Sequence, residues 1–258
     1  AYGLTAMQEG MLYHTLADRG SGVYVNQIVT PVSGDLDASV LHSAWDSVVA
    51  RHDTLRTAYV WDGLDDPLQV VYAAVDHPWE YVELTHVPQG DRDEQVDRVL
   101  TSDRERGFDV AAAPLSRMLL IRTGDREWQW VWSFHHLVAD GWSAQILLDE
   151  CIATYRASIE GRRLDLKAQP PYRDFVAHYL ARDTEAERTY WTRRLAGFVE
   201  PHDLVVPGLP PTQGASGYRT LYRTLDRELT DDLTALARSH QVTLNTVFVA
   251  IWALIVSR

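Results

Sequence analysis

The chain has 258 residues, 46% of them hydrophobic, with nine tryptophans, enough for one large domain or two small ones around an ample core. Thirty-six acidic against 24 basic residues give a formal net charge of -12, which argues against a general nucleic-acid binder. The acidity favours solubility and names no partner. Cys151 is the single cysteine, so an intrachain disulfide is excluded and a reducing cytoplasm fits. It sits in a helical pattern, and no neighbour would depress its pKa, so it reads as a buried structural thiol.

In chain order, residues 23–32 read as a strand. Asp35 or Asp37 is placed to cap a helix over 38–52, with Val40, Leu41, Ala44, Val48 and Val49 along one side. Residues 57–62 and 67–75 read as strands joined by an Asp/Gly turn, whose Asp65-Asp66 pair is a solvated turn. Another strand is expected at 81–84. Residues 91–106 form a highly charged helix with Val96, Val99 and Leu100 inward and its charges on a solvated face. Residues 115–123 and 128–134 form a hairpin around Gly124-Asp125. Helices are expected at 143–159, 172–182 and 184–195. The Pro/Gly-rich stretch 199–216 reads as a crossing linker, followed by a strand at 217–225 and helices at 230–240 and 244–256. The apolar segment 242–256 is too short, and too polar at Asn245 and Thr246, to span a membrane, and reads as a buried helix. No signal peptide opens the sequence. Mixed strands and helices around a central hairpin indicate an α+β two-layer sandwich.

The most informative stretch follows the hairpin: His135-His136-Leu137-Val138-Ala139-Asp140-Gly141-Trp142-Ser143. A strand, a sharp polar turn and a helix start mount reactive groups on a rigid scaffold. Side chains alternate faces along a strand, so His135 and His136 do not both point into one site. One faces a cavity and the other ties down the turn. Asp140 supplies a buried charge or a helix cap, and Gly141 a position free of Cβ crowding. The alternation leaves at most one histidine plus Asp140 for a metal, short of three or four ligands, so no metal is expected.

This nonamer resembles the His-His-x-x-x-Asp-Gly signature of condensation domains of nonribosomal peptide synthetases, which share the chloramphenicol-acetyltransferase-like fold. Other segments resemble the family's motifs in order. Leu4-Thr5-Ala6-Met7-Gln8-Glu9-Gly10-Met11-Leu12-Tyr13-His14 resembles the first, in the form typical of L-configured donors. Arg51-His52-Asp53-Thr54-Leu55-Arg56-Thr57 resembles the second. Tyr172-Arg173-Asp174-Phe175-Val176 is similar to the fourth, and Tyr190-Trp191 with Leu195-Ala196-Gly197 also fits. The resemblance implies an N-terminal acetyltransferase-like lobe over residues 1–178, a linker and crossing segment over 179–225, and the start of a second, similar lobe over 226–258. The later Phe-Val-Asn-Thr motif of that lobe does not occur, which implies somewhat more than half of a condensation domain.

The implied reaction joins a donor aminoacyl or peptidyl thioester to the α-amine of an acceptor aminoacyl thioester. Both substrates ride on phosphopantetheine arms of upstream and downstream carrier proteins, beside neighbouring synthetase domains. The domain itself holds no cofactor, and nucleic acid and membrane are not partners. The family pattern puts His136 in the channel, as a general base or as a group that orients the amine and stabilises the intermediate. His135 faces away. Asp140 pairs with an arginine of the second motif, Arg51 or Arg56. Gly141 lets its backbone approach the thioester and its N–H bind the oxyanion, or is a turn glycine. Trp142 and Ser143 line the channel, or Trp142 is core. The paired histidines count against the cyclisation relatives. An epimerisation domain and a non-catalytic carrier-docking module remain the alternatives.

Overall fold

The computed structural model describes residues 1–18, 20, 22–199 and 223–257. They group into two units, Ala1–Arg182 and Asp183–Arg258. The sequence expectation divides the chain after 178 and 225. Residues 200–222, with most of the crossing stretch and of the strand expected at 217–225, lie outside the described residues.

The first unit opens with β1 (Tyr2–Gly3) and α1 (Ala6–Ala17). No helix is expected there from apolar periodicity, yet its start is written in a capping box. Thr5 accepts from the Gln8 N–H, and the Gln8 side chain returns to the Thr5 N–H. Then come β2 (Val25–Ser33) and α2 (Ala38–Arg51). Asp37 rather than Asp35 caps α2, accepting from the N–H groups of Ser39 and Val40. A short 3₁₀ turn, Asp53–Arg56, leads into β3 (Thr57–Val60) and β4 (Leu68–Val71). These pair antiparallel, and β1 adds to β4, giving a three-stranded sheet β1-β4-β3.

The larger sheet has the order β2-β7-β6-β5. Its members β6 (Ser116–Gly124) and β7 (Glu127–His135) form the expected hairpin, and β5 (Trp79–Glu83) lies parallel to β6. A parallel pair needs a crossover, and α3 (Gln89–Glu105) supplies it. The period-2 pattern of the hairpin then sorts its side chains. Trp128, Trp130, Trp132 and Phe134 of β7, with Met118 and Leu120 of β6, pack on α2 and on α4 (Gly141–Ile159). The intervening Val131, Leu119 and Ile121 face Val96, Val99 and Leu100 of α3. Trp45 of α2 is 0% exposed and meets Trp132 edge-on at 5.1 Å. Burying such a side chain stabilises by roughly 1.5–3 kcal/mol or more. Cys151 is buried in this core, and burial pushes its thiol up to about 12.

Two expectations need correction. The charges of α3 are not all solvated. Asp103 is buried, accepting from Arg117 Nε at 2.6 Å, from Gln27 Nε2 at 2.8 Å and from the Ser133 hydroxyl. Arg117 lies over the Phe108 ring. Such a pair survives burial because each charge is hydrogen-bonded. The second correction concerns α8. After α5 (Tyr172–Leu180), α6 (Thr184–Arg194) and α7 (Arg227–Ser239), α8 (Leu244–Val256) forms where expected. It is not buried: Trp252 is 58% and Leu254 66% exposed. A helix apolar all round needs cover on several sides, and among the described residues α7 is the element with extensive contact to it. No single described helix is long and apolar enough to cross a membrane. The fold class is α+β.

Candidate active site

The end of β7 sets the two histidines apart. His135 is opposite Val25 in the ladder and 1% exposed. The Leu137 N–H donates to its Nδ1 at 3.2 Å, so the ring proton is on Nε2. Nε2 lies 3.1 Å from Thr15 Oγ1, whose hydroxyl donates to the Met11 carbonyl at 2.7 Å. Every polar atom of the ring is used, and burial pushes its pKa down to about 4. His135 is a neutral structural strut between the turn and α1. His136, one residue on, is only half-buried and lines a cavity of about 630 Å³. Its N–H donates to the Tyr24 carbonyl at 2.8 Å, and the Tyr24 ring lies nearly parallel to its own at 6.5 Å. Tyr24 has φ +63°, a left-handed conformation that costs a bulky residue energy and that this bond holds in place.

All four motif segments meet at that one cavity. The first motif contributes Thr5, Met7 and Gln8 from the start of α1. The second contributes residues 51–54, the third residues 136–140 and Ser143, and the fourth Tyr172 and Phe175. A buried polar network fixes the floor. Gln8 Nε2 donates to the Tyr59 hydroxyl at 3.2 Å, and Tyr59 donates to the Leu137 carbonyl at 2.8 Å. Gln69 of β4 bonds Gln8 and the Gly3 carbonyl. Burial pushes the Tyr59 phenol far up, so it remains a donor. The first motif thereby holds the backbone one residue beyond His136.

Asp140 does not form the expected buried pair with an arginine. It is exposed and is the N-cap of α4, accepting from the Ser143 N–H at 2.8 Å and the Ser143 hydroxyl at 2.5 Å. Those bonds hold its carboxyl below the usual range. Arg51 instead donates to Glu150 at 3.2 Å, and His52 Nε2 lies 2.6 Å from the same carboxylate oxygen. Arg56 is buried on Asp53 and on the carbonyls of Val49, Tyr72 and Ala73. Both arginines are thus engaged in bracing the second motif. Glu150, on the face of α4 that packs against α2, is the partner that sequence reading missed. Its signal is the acidic residue one helical turn beyond Leu147 in the apolar α4 pattern.

Gly141 is the first residue of α4, and a Cβ added there would meet nothing within 4 Å. Ser143 lines the cavity, whereas Trp142 projects into solvent at 85% exposure and is neither core nor part of that wall. Asn26 and Tyr24, which touch His136, also escaped the sequence reading; each is a single polar or aromatic residue in or beside a strand. Among the described residues no cluster of three or more His, Cys, Asp or Glu side chains is disposed to hold a metal ion.

The family model for the condensation domain matches residues 1–258. The chain is 39% identical over 251 residues to a linear gramicidin synthase polypeptide of Brevibacillus parabrevis, covering 97% of this chain and 5% of that protein. It is 33% identical over 259 residues to bacitracin synthase 3 of Bacillus licheniformis, covering all of this chain and 4% of that protein. Among solved structures, the first condensation domain of the calcium-dependent antibiotic synthetase aligns with TM-score 0.79 at 24% identity, over 100% of this chain and 61% of the other. The starter condensation domain of rhizomide synthetase aligns with TM-score 0.70 at 23% identity, over 79% of this chain and 50% of the other. The structures establish the fold. The chain belongs to the condensation-domain family of nonribosomal peptide synthetases.

Proposed function

We propose that this chain contributes the His136 side of a peptide-forming site. A donor aminoacyl or peptidyl thioester, L-configured at its reacting residue, meets the α-amine of an acceptor aminoacyl thioester. Both arrive on the phosphopantetheine arms of carrier proteins. The neutral amine attacks the thioester carbonyl carbon, the C–N bond forms and the C–S bond breaks. Nitrogen loses one proton and the departing sulfur gains one. A thioester is already activated, so no covalent enzyme intermediate is required. Holding both reactants in line supplies up to roughly 7–11 kcal/mol of the barrier reduction. The observation that carries this reading is the convergence of all four motif segments on one cavity, with His136 exposed to it and His135 turned away. The single buried thiol suits a reducing cytoplasm as its compartment.

The test is a condensation assay in the full-length protein that carries this chain. Donor and acceptor aminoacyl carriers are mixed with wild type or His136→Ala, and the carrier-bound product is weighed by mass spectrometry. Wild type should yield dipeptide, and a folded His136→Ala should be slower by about 100-fold or more. No dipeptide from a folded wild type that binds both carriers, across several aminoacyl pairs, would overturn the reading. Exchange of the α-proton would then identify an epimerase, and its absence a docking module.

A further inference from the structure

We infer that Asn26 is a positioning residue that fixes the tautomer of His136 and makes its Nε2–H a hydrogen-bond donor. The ladder brings the two together. Asn26 of β2 stands opposite Phe134 of β7, and His136 is two residues further along, the diagonal neighbour that a longer side chain can reach. Asn26 Nδ2 lies 3.1 Å from His136 Nδ1. In this orientation the amide presents its nitrogen, which has no lone pair to offer; Nδ1 then accepts and the neutral ring carries its proton on Nε2. The ring is held in two further ways, by its peptide N–H on the Tyr24 carbonyl and by the parallel Tyr24 ring. No described residue bonds Nε2. The contrast with His135 is chemical: both rings carry the proton on Nε2, but that of His135 is committed to Thr15.

The use of this donor rests on the proposed condensation. A neutral Nε2–H ring does not take a proton at Nε2. It donates to the oxygen that becomes negative as the amine adds to the thioester, and such donors are worth most where charge develops. The proton released by nitrogen then ends on the departing sulfur, so the imidazole is unchanged over the cycle.

The experiment is ¹⁵N NMR of the 258-residue chain labelled at both histidine ring nitrogens, at a pH well above the histidine range. His136→Gln identifies the His136 signals by difference. Wild type should show a protonated Nε2 and a bare, hydrogen-bonded Nδ1. Asn26→Asp offers only an acceptor and should move the proton to Nδ1; an unchanged backbone spectrum certifies its fold. Asn26→Leu should keep the fold and shift the Nδ1 signal to that of an unbonded nitrogen. A wild-type proton on Nδ1, or His136 signals indifferent to folded Asn26 variants, would overturn the inference. In the full-length protein, Asn26→Asp should lower kcat about tenfold or more with KM little changed. The ring assignment is read without any turnover. The expected tautomer in a protein that makes no peptide would therefore count against the proposed reaction alone, and a Nδ1–H ring in an active protein against this inference alone.

Discussion

Asp140 and Gly141 are adjacent in the signature and answer to different physics. Asp140 caps α4 from an exposed position. Asp140→Ala should therefore cost about 1 kcal/mol, the usual value of an N-cap. The loss of half a buried ion pair would cost about 3–5 kcal/mol, and a urea-midpoint shift of that size would mean that an arginine does meet this carboxylate. Gly141 has no backbone need for glycine: its φ is ordinary and an added Cβ has open space. Gly141→Ala should fold as well as wild type or slightly better, because alanine favours a helix by up to about 1 kcal/mol. If the substrate backbone approaches there, the same methyl should slow condensation about tenfold or more, a barrier increase of about 1.4 kcal/mol. Full activity in the folded variant would show that the space is unused.

The elements owe their places to patterns of different range. The β6–β7 hairpin and α2 were legible because strand alternation and helix periodicity are local, and so was the opposite facing of His135 and His136; which of the two meets the cavity was implied by the family resemblance alone. Helix α1 was missed because its apolar stripe is weak, although Thr5 and Gln8 spell out its start. Asp103 was misplaced because what buries it comes from afar: Gln27 on β2, Arg117 on β6 and Ser133 on β7. The same holds for Glu150, which meets the second motif only once α2 and α4 pack. Burial alone would raise the Asp103 pKa; the hydrogen bonds and charge of Arg117, with Ser133 and Gln27, pull it below the usual range instead. Its folded value is below its unfolded one. Its stabilisation is therefore complete above about pH 4–5 and lost as pH falls through the folded value. Asp103→Asn should flatten the acid limb of stability against pH while lowering stability at neutral pH. Arg117→Met leaves Asp103 with the half-exposed Arg106 at 3.1 Å and with Gln27 and Ser133. It should therefore cost about 1.5–3 kcal/mol by urea unfolding, less than a fully stranded buried charge, and Asp103→Leu in the same chain should restore part of it. An Arg117→Met protein as stable as wild type would mean that Arg106, Gln27 and Ser133 suffice for the Asp103 carboxylate.

At the scale of the molecule, two surface properties oppose each other. The formal net charge of -12 keeps copies apart. Helix α8 draws them together, since Phe248, Val249, Ile251, Trp252, Leu254 and Ile255 are all exposed. Contiguous exposed apolar surface of that kind marks an interface or an aggregation liability. Charge repulsion is screened beyond about 8 Å at physiological ionic strength, whereas apolar attraction is not. The chain of residues 1–258 should therefore self-associate, and more strongly as salt rises, in sedimentation velocity over a concentration series. Trp252→Glu combined with Leu254→Lys should return it to the monomer. His136→Ala, in the cavity of the first unit, should leave the association unchanged. A wild-type chain that stays monomeric at high salt and high concentration would show that the apolar residues of α8 are covered within the molecule in solution. The same residues would then be protected from hydrogen exchange, a second reading that the sedimentation result alone does not supply.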